Sequence, residues 1–194
     1  ARESLLALGS SLPQGLGMTE TQGLRILCYA ENPDLYLLID AEGKVVVDES
    51  SGDDYFFSAE IQRGFPWITQ RTRELFLPQM LDLERFDGIC DKKGCYTGQE
   101  IVTRTHFLGQ LKRGLYTGRL KASSAALEGN SIYGGHGEGA ESIGSLVNLA
   151  PDRDGNLRCL MVLQNDQVSN DQLYLNESGG GRVAISLSTT VLML

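Results

Sequence analysis

The reactive side chains of this 194-residue chain are few: four cysteines, two histidines and one dense polar run. The run is Lys93-Gly94-Cys95-Tyr96-Thr97-Gly98-Gln99-Glu100, which sets a thiol, a cation, an aromatic ring, two glycines and an acid close together. Its glycines let the backbone turn sharply or approach a ligand closely. Gln99 to Arg104 then reads as the first turns of a helix, with Thr97 as N-cap and Glu100 near the third helical position, as in a capping box. Cys95 would precede a helix N-terminus and stand beside Lys93. Both features favour a thiolate and make the thiol more reactive. The same pattern also reads as a small inert cysteine in a glycine-rich turn. Residue types and spacing leave both readings open.

The other candidates are weaker. Cys90 and Cys95 have four residues between them, which is no zinc-finger spacing, and His106 and His136 supply no H-x₃₋₅-H partner, so no metal site is expected. Cys28 and Cys159 fall in apolar runs and read as core. Trp67 reads as a ring that stacks on a flat ligand or as a core or interface residue. Lys92, Lys93, Arg104, Lys112 and Arg113 form a basic cluster, either a solvated face or an anion site.

The elements that must position these groups change character along the chain. Arg2 to Leu8 reads as a short helix, and Ser10 to Gly23 as loop. Leu24 to Tyr29 and Leu35 to Ile39 read as a hairpin of strands around the Asn32-Pro33-Asp34 turn. Val45 to Val47 is a further strand candidate. Phe56 to Arg63 reads as a helix stopped at Gly64, with Pro66 forbidding continuation. After Lys112 the pattern becomes short strands separated by glycine turns: 113–120, 131–133, 141–149, 157–163, 172–175 and 183–187. That spacing predicts an antiparallel barrel or small sandwich.

Composition sets outer limits. The chain is long enough for one or two domains with a real core. Its hydrophobic share of 41% and charged share of 22% are ordinary for a globular protein. Net charge is −8, which argues against broad contact with a nucleic-acid backbone. No apolar run approaches the ~20 residues of a membrane helix, and the scattered cysteines point to a reducing cytoplasm.

The eight-residue run resembles the K-G-C-[FY]-x-G-Q-E signature of the YgfZ family, within the folate-binding superfamily of the glycine-cleavage T-protein (aminomethyltransferase). The flanks agree: Gly64-Phe65-Pro66 with G-[FL]-P, Phe76-Leu77-Pro78-Gln79 with F-[IV]-P-Q, and Glu100 to Arg104 with E-[MI]-V-A-R. Lys112-Arg113 resembles the basic pair that closes the region. The resemblance implies an α+β chain, in which 1–112 is the remainder of a T-protein-like (ferredoxin-like) folate-binding α/β domain and 113–194 a C-terminal antiparallel β-barrel. It implies a piece of a longer protein, since family members carry a further N-terminal region.

It also implies function: tetrahydrofolate binding and maintenance of iron–sulfur enzymes, including those that modify tRNA, with iron–sulfur proteins as partners and no direct nucleic-acid or membrane contact. Cys95 is then the functional thiol. Lys93 tunes it or touches the folate tail, and Tyr96 and Glu100 shape the loop, with Arg104 reaching Glu100 one helical turn on. Gln62 stands near where the superfamily places an acid against the pterin ring, and an amide matches only part of that pattern. Asp91 departs from the aromatic that relatives often carry there. The alternatives are a true aminomethyltransferase, which needs a catalytic carboxylate over the pterin, and a non-catalytic interaction module.

Overall fold

The computed structural model describes residues 12–13, 15–21, 24–30, 35–41, 43, 52–90, 92–123, 126–135, 141–168, 172–177 and 180–190. The helix expected over Arg2 to Leu8 and the strand over Val45 to Val47 lie outside them, as does His136. The chain divides into two compact units, Ala1–Gly52 and Asp53–Leu194.

The first unit holds a three-stranded antiparallel sheet in the order β1 (Gly17–Thr21), β2 (Leu24–Ala30), β3 (Leu35–Asp40). The β2–β3 hairpin is as expected. The strand β1 corrects the reading of Ser10 to Gly23 as loop: it pairs with β2 from Gly17↔Cys28 to Thr21↔Leu24. The glycines around it hid the Thr-Glu-Thr alternation that suits a strand. Leu24, Ile26 and Cys28 alternate along β2 and are buried, as a two-residue period requires.

Helix α1 (Gly52–Gln62) begins at the last residue of the first unit and otherwise belongs to the second; it starts four residues earlier than the apolar pattern suggested. Its end follows the expectation in detail. Gly64 takes φ 70, its N–H donates to the Ile61 carbonyl at 3.0 Å, and the Phe65 N–H donates to Glu60 at 2.9 Å. This is a Schellman closure, which needs a residue comfortable in the left-handed region, and Pro66 then prevents further helix. Two 3-10 turns follow, Pro78–Leu81 and Leu83–Phe86, and then helix α2 (Gln99–Leu108).

The remaining strands are β4 (Arg113–Lys121), β5 (Ser131–Gly134), β6 (Ser142–Pro151), β7 (Asn156–Gln164), β8 (Leu173–Asn176) and β9 (Arg182–Thr190). They close into a barrel in the order β4-β7-β6-β5-β8-β9, with every pairing antiparallel. The barrel expected after Lys112 is therefore present, and the six strand candidates all fall on its strands. Closure leaves the sheet without free edges.

Alternation along β7 explains how the helical segment is seated. Cys159, Met161 and Leu163 join a core cluster fed by all six strands, including Leu146, Ile132, Leu175 and Ile185. Leu160 and Val162 point the other way, into a second cluster with Leu115, Val147, Ile61 and Leu81. Phe76, Met80 and Leu83 pack against that second cluster. One strand thus serves the barrel interior with odd residues and grips α1 and the 3-10 turns with even ones, which is why β7 is a nearly continuous apolar run.

Candidate functional site

Four polar contacts, each between segments far apart in sequence, set the geometry around the motif. Asn148, buried on β6, accepts the Trp67 N–H with Oδ1 and donates to the Trp67 carbonyl with Nδ2, both at 2.8 Å. Its amide replaces a missing strand partner for that stretch of backbone and fixes the chain after α1 to the barrel. Arg85 donates to the carbonyls of Arg63 and Gly64 at 3.0 and 3.1 Å, which supplies a cation where α1 leaves carbonyls unsatisfied. Its Nε also lies 3.0 Å from Asp82 Oδ2. Burial pushes the Asp82 carboxyl up; Arg85 pulls it back, Glu84 adds to the rise, and the pKa stays above the usual carboxylate value. Gln79, the last residue of the Phe-Leu-Pro-Gln segment, is buried and donates to the Val102 carbonyl of α2 at 2.7 Å. Finally, His106 Nδ1 meets Glu84 Oε1 at 2.8 Å. The 3-10 segment is therefore the hub that joins α1 to α2.

The loop that carries the motif is held differently. Every residue from Lys92 to Gly98 is exposed. The α2 N-cap is Gly98, with φ 87 and no side-chain capping bond, so Thr97 is not the cap. Glycine is favoured there because the left-handed conformation would strain a side chain. Glu100 consequently sits at the second helical position, in the first turn but outside capping-box geometry. Glu100 and Arg104 are both exposed, and no ion pair joins them among the described residues. Lys93 Nζ lies 5.1 Å from the centre of the Tyr96 ring, a cation–π contact that folds the loop onto itself.

Cys95 is exposed, as is Cys90, whereas Cys28 and Cys159 are buried. Burial pushes the Cys159 thiol up to about 12, only partly offset by a backbone hydrogen bond from Gly118. Beside the loop lies an open cleft of about 210 Å³. Ile89 and Val102 form its apolar wall, and Tyr96 and Phe107 add two rings. Glu84, Thr103 and His106 bring the polar groups.

Of the residues singled out from sequence, the structure brings Lys93 and Tyr96 together; Tyr96 lines the cleft, whereas Cys95, its neighbour in the chain, and Lys93 do not. Glu100 does not line it. Gln62 is exposed at the end of α1 and does not line it either. Trp67 belongs to an aromatic cluster, edge-on to Phe56 at 5.9 Å and Phe57 at 6.0 Å and tilted against Phe65 at 5.8 Å, and is 40% exposed. Glu84, His106 and Phe107 were missed. The spacing of Val102, Thr103, His106 and Phe107 on one helical face was a usable signal. Glu84 had none, because its partner lies 22 residues away.

Among the described residues, no group of three or more His, Cys, Asp or Glu is arranged to hold a metal ion, and no helix is long and apolar enough to cross a membrane.

The fold and the motif define a closed antiparallel barrel carrying a helical arm, with an exposed cysteine loop beside a cleft. The chain is 30% identical to the tRNA-modifying protein YgfZ of Serratia proteamaculans over 194 residues, covering 95% of this chain and 59% of that relative. It is also 30% identical to the tRNA-modifying protein YgfZ of Escherichia coli over 175 residues, covering 86% and 54% respectively. Over most of its own length the chain is thus similar to the YgfZ proteins. It spans between half and two thirds of the length of these curated relatives. No family model matches it.

Proposed function

We propose that this chain is the thiol-bearing part of a folate-binding YgfZ protein that supports iron–sulfur enzymes and, through them, tRNA modification in the cytoplasm. The observation that carries the reading is the exposed Cys95, set between two glycines on a loop that borders a partly aromatic cleft. The relatives' name, tRNA-modifying protein, supports the last part of the reading. In this reading residues 1–112 are the remainder of a T-protein-like domain, and tetrahydrofolate binds against it. Cys95 is the working thiol, Lys93 and Tyr96 hold its loop, and iron–sulfur proteins are the partners.

A cleft of about 210 Å³ is smaller than the ~300–1,000 Å³ typical of sites for drug-sized ligands. It would take part of a folate, and the rest would lie on other surfaces of the family's longer chain.

The test uses the full-length protein in cells lacking their own YgfZ, with iron–sulfur enzyme activity as readout. Cys95→Ala leaves the fold intact, because an exposed loop sulfur contributes little packing, and abolishes the activity. Cys95→Ser is nearly as damaging, since a hydroxyl is not ionised at neutral pH. Full activity of Cys95→Ala would remove the thiol from the reading. Tetrahydrofolate titrated into the purified protein tests the ligand separately.

A further inference from the structure

The cleft contains a hydrogen-bonded pair that the thiol reading does not use. His106 stands in the last turn of α2 and Glu84 on the second 3-10 turn, and Nδ1 to Oε1 is 2.8 Å. An ionised carboxylate can only accept, so Nδ1 must carry the hydrogen. In the neutral ring Nε2 then presents a lone pair, and the carboxylate fixes that tautomer. The ring is further held edge-on against Phe107, with centres 4.6 Å apart and planes at 88°. His106 thus lines, with its ring held, a cleft that also has an apolar wall and two aromatic rings.

Size narrows what fits. A cavity of ~150 Å³ lined by apolar groups holds benzene. The volume here, about 210 Å³, is enough for one or two fused rings. Tyr96 and Phe107 are exposed by 36% and 62%, so both rings have free surface. Flat π-faces beside polar groups that can all accept, the Glu84 carboxylate, the Thr103 hydroxyl and the His106 ring nitrogen, favour a planar heterocycle with N–H groups on its edge.

We propose that this cleft is a subsite for a flat, N–H-bearing heterocycle, with His106 Nε2 as its hydrogen-bond acceptor and Glu84 as the residue that positions the imidazole. The inference rests on the reading of the Cys95 loop as a functional site. The heterocycle has two candidate sources with the same edge chemistry: the pterin of a folate, and a guanine-type nucleobase.

Histidine ¹H–¹⁵N correlations decide it, because the chain has two histidines and their signals separate readily. Before any ligand, His106 shows the Nδ1–H tautomer in the wild type and a mixture in Glu84→Gln. Tetrahydrofolate and guanosine are then titrated separately. The expected result is a shift of His106 Nε2, with His136 unmoved, for at least one probe. His106→Phe keeps a ring and loses the acceptor, and weakens that probe's binding about tenfold. Shift by guanosine alone, with no binding of tetrahydrofolate anywhere on the protein, supports the subsite and removes folate from the proposed function. Binding of tetrahydrofolate with His106 moved by neither probe overturns the subsite and leaves the proposed function standing. Failure of both probes to move His106, or unaltered affinity in His106→Phe, also overturns it.

Discussion

Leu160, Met161 and Leu163 on β7 are fully buried, while a few tens of residues earlier every side chain from Lys92 to Gly98 is exposed. The barrel is held by area: apolar side chains from six strands remove each other from water, and no single contact decides its shape. The motif loop has no such area. It is held by a glycine at φ 87, by one cation over one ring, and by the seating of the helix behind it. That seating depends on discrete bonds, from Gln79 to α2 and from Glu84 to His106. The contrast teaches where substitutions act. In the barrel they change stability, and around the loop they change placement and reactivity.

The widest gap between the two regions should appear in cysteine chemistry. Cys159 combines full burial with a thiol pushed up to about 12. Cys95 is exposed. With iodoacetamide under native conditions, Cys95 should react on the order of a thousandfold faster than Cys159. Peptide mass spectrometry at timed intervals gives both rates, and Cys90, also exposed, serves as internal reference. Equal rates for Cys95 and Cys159 would erase the distinction between loop and core. A Cys95 no faster than Cys90 would keep the distinction and remove any special activation of the motif thiol.

Stability should separate the regions next. Leu160→Ala empties a fully buried site between the barrel and the helical segment, and should cost about 2–5 kcal/mol. Tyr96→Ala on the loop should cost within about 0.5 kcal/mol, since surface changes rarely exceed that. Urea unfolding midpoints give both values. A Tyr96→Ala variant as damaged as Leu160→Ala would mean that the loop is part of the core's cooperative unit. The bond between the regions should fall between these limits. Asn148→Ala leaves the Trp67 peptide group without its two partners, and should cost about 1–3 kcal/mol. Hydrogen exchange should then rise at the Trp67 amide and stay low in β7.

The same division decided what the sequence reveals. The strands of the barrel announced themselves by alternation and glycine turns, because each buries side chains at a fixed period. The strand order did not, since the β5–β8 pairing of Tyr133 with Tyr174 joins residues across two intervening strands. The end of α1 was legible because Gly64 and Pro66 act locally, and the start of α2 was nearly so. Thr97 was mistaken for its cap because a hydroxyl and a glycine both end that turn, and only the backbone shows which one the helix uses. The reactive loop was visible as a motif. The cleft beside it was not, since it needs Glu84 and Ile89 brought against α2 from another segment.

The smallest effect is also the most specific, for it concerns two aspartates whose carboxyl groups are shifted in opposite directions. In the β6–β7 turn, burial pushes the Asp152 carboxyl up. Hydrogen bonds from the N–H groups of Asn156 and Asp154, with the charges of Arg119 and Arg158, outweigh that and leave its pKa below the ordinary value of 3.8. In the helical segment, burial dominates at Asp82 and its pKa lies above 3.8. A depressed pKa means that the unfolded chain binds the proton more tightly. Asp152 therefore stabilises the fold above its ordinary pKa, and this is lost as pH falls through its folded value. At Asp82 the folded state binds the proton more tightly. Stability is then lost as pH rises from the ordinary value through the folded one. Urea midpoints measured against pH should show the cost of Asp152→Asn growing with pH below the ordinary carboxylate range and levelling off within it. The difference between Asp82→Asn and wild type should move in the variant's favour as pH rises above that range, whatever constant offset the lost contact with Arg85 adds. Parallel slopes for the two variants would mean that the hub segment and the barrel turn hold their charges alike, and the contrast between them would fail at its finest point.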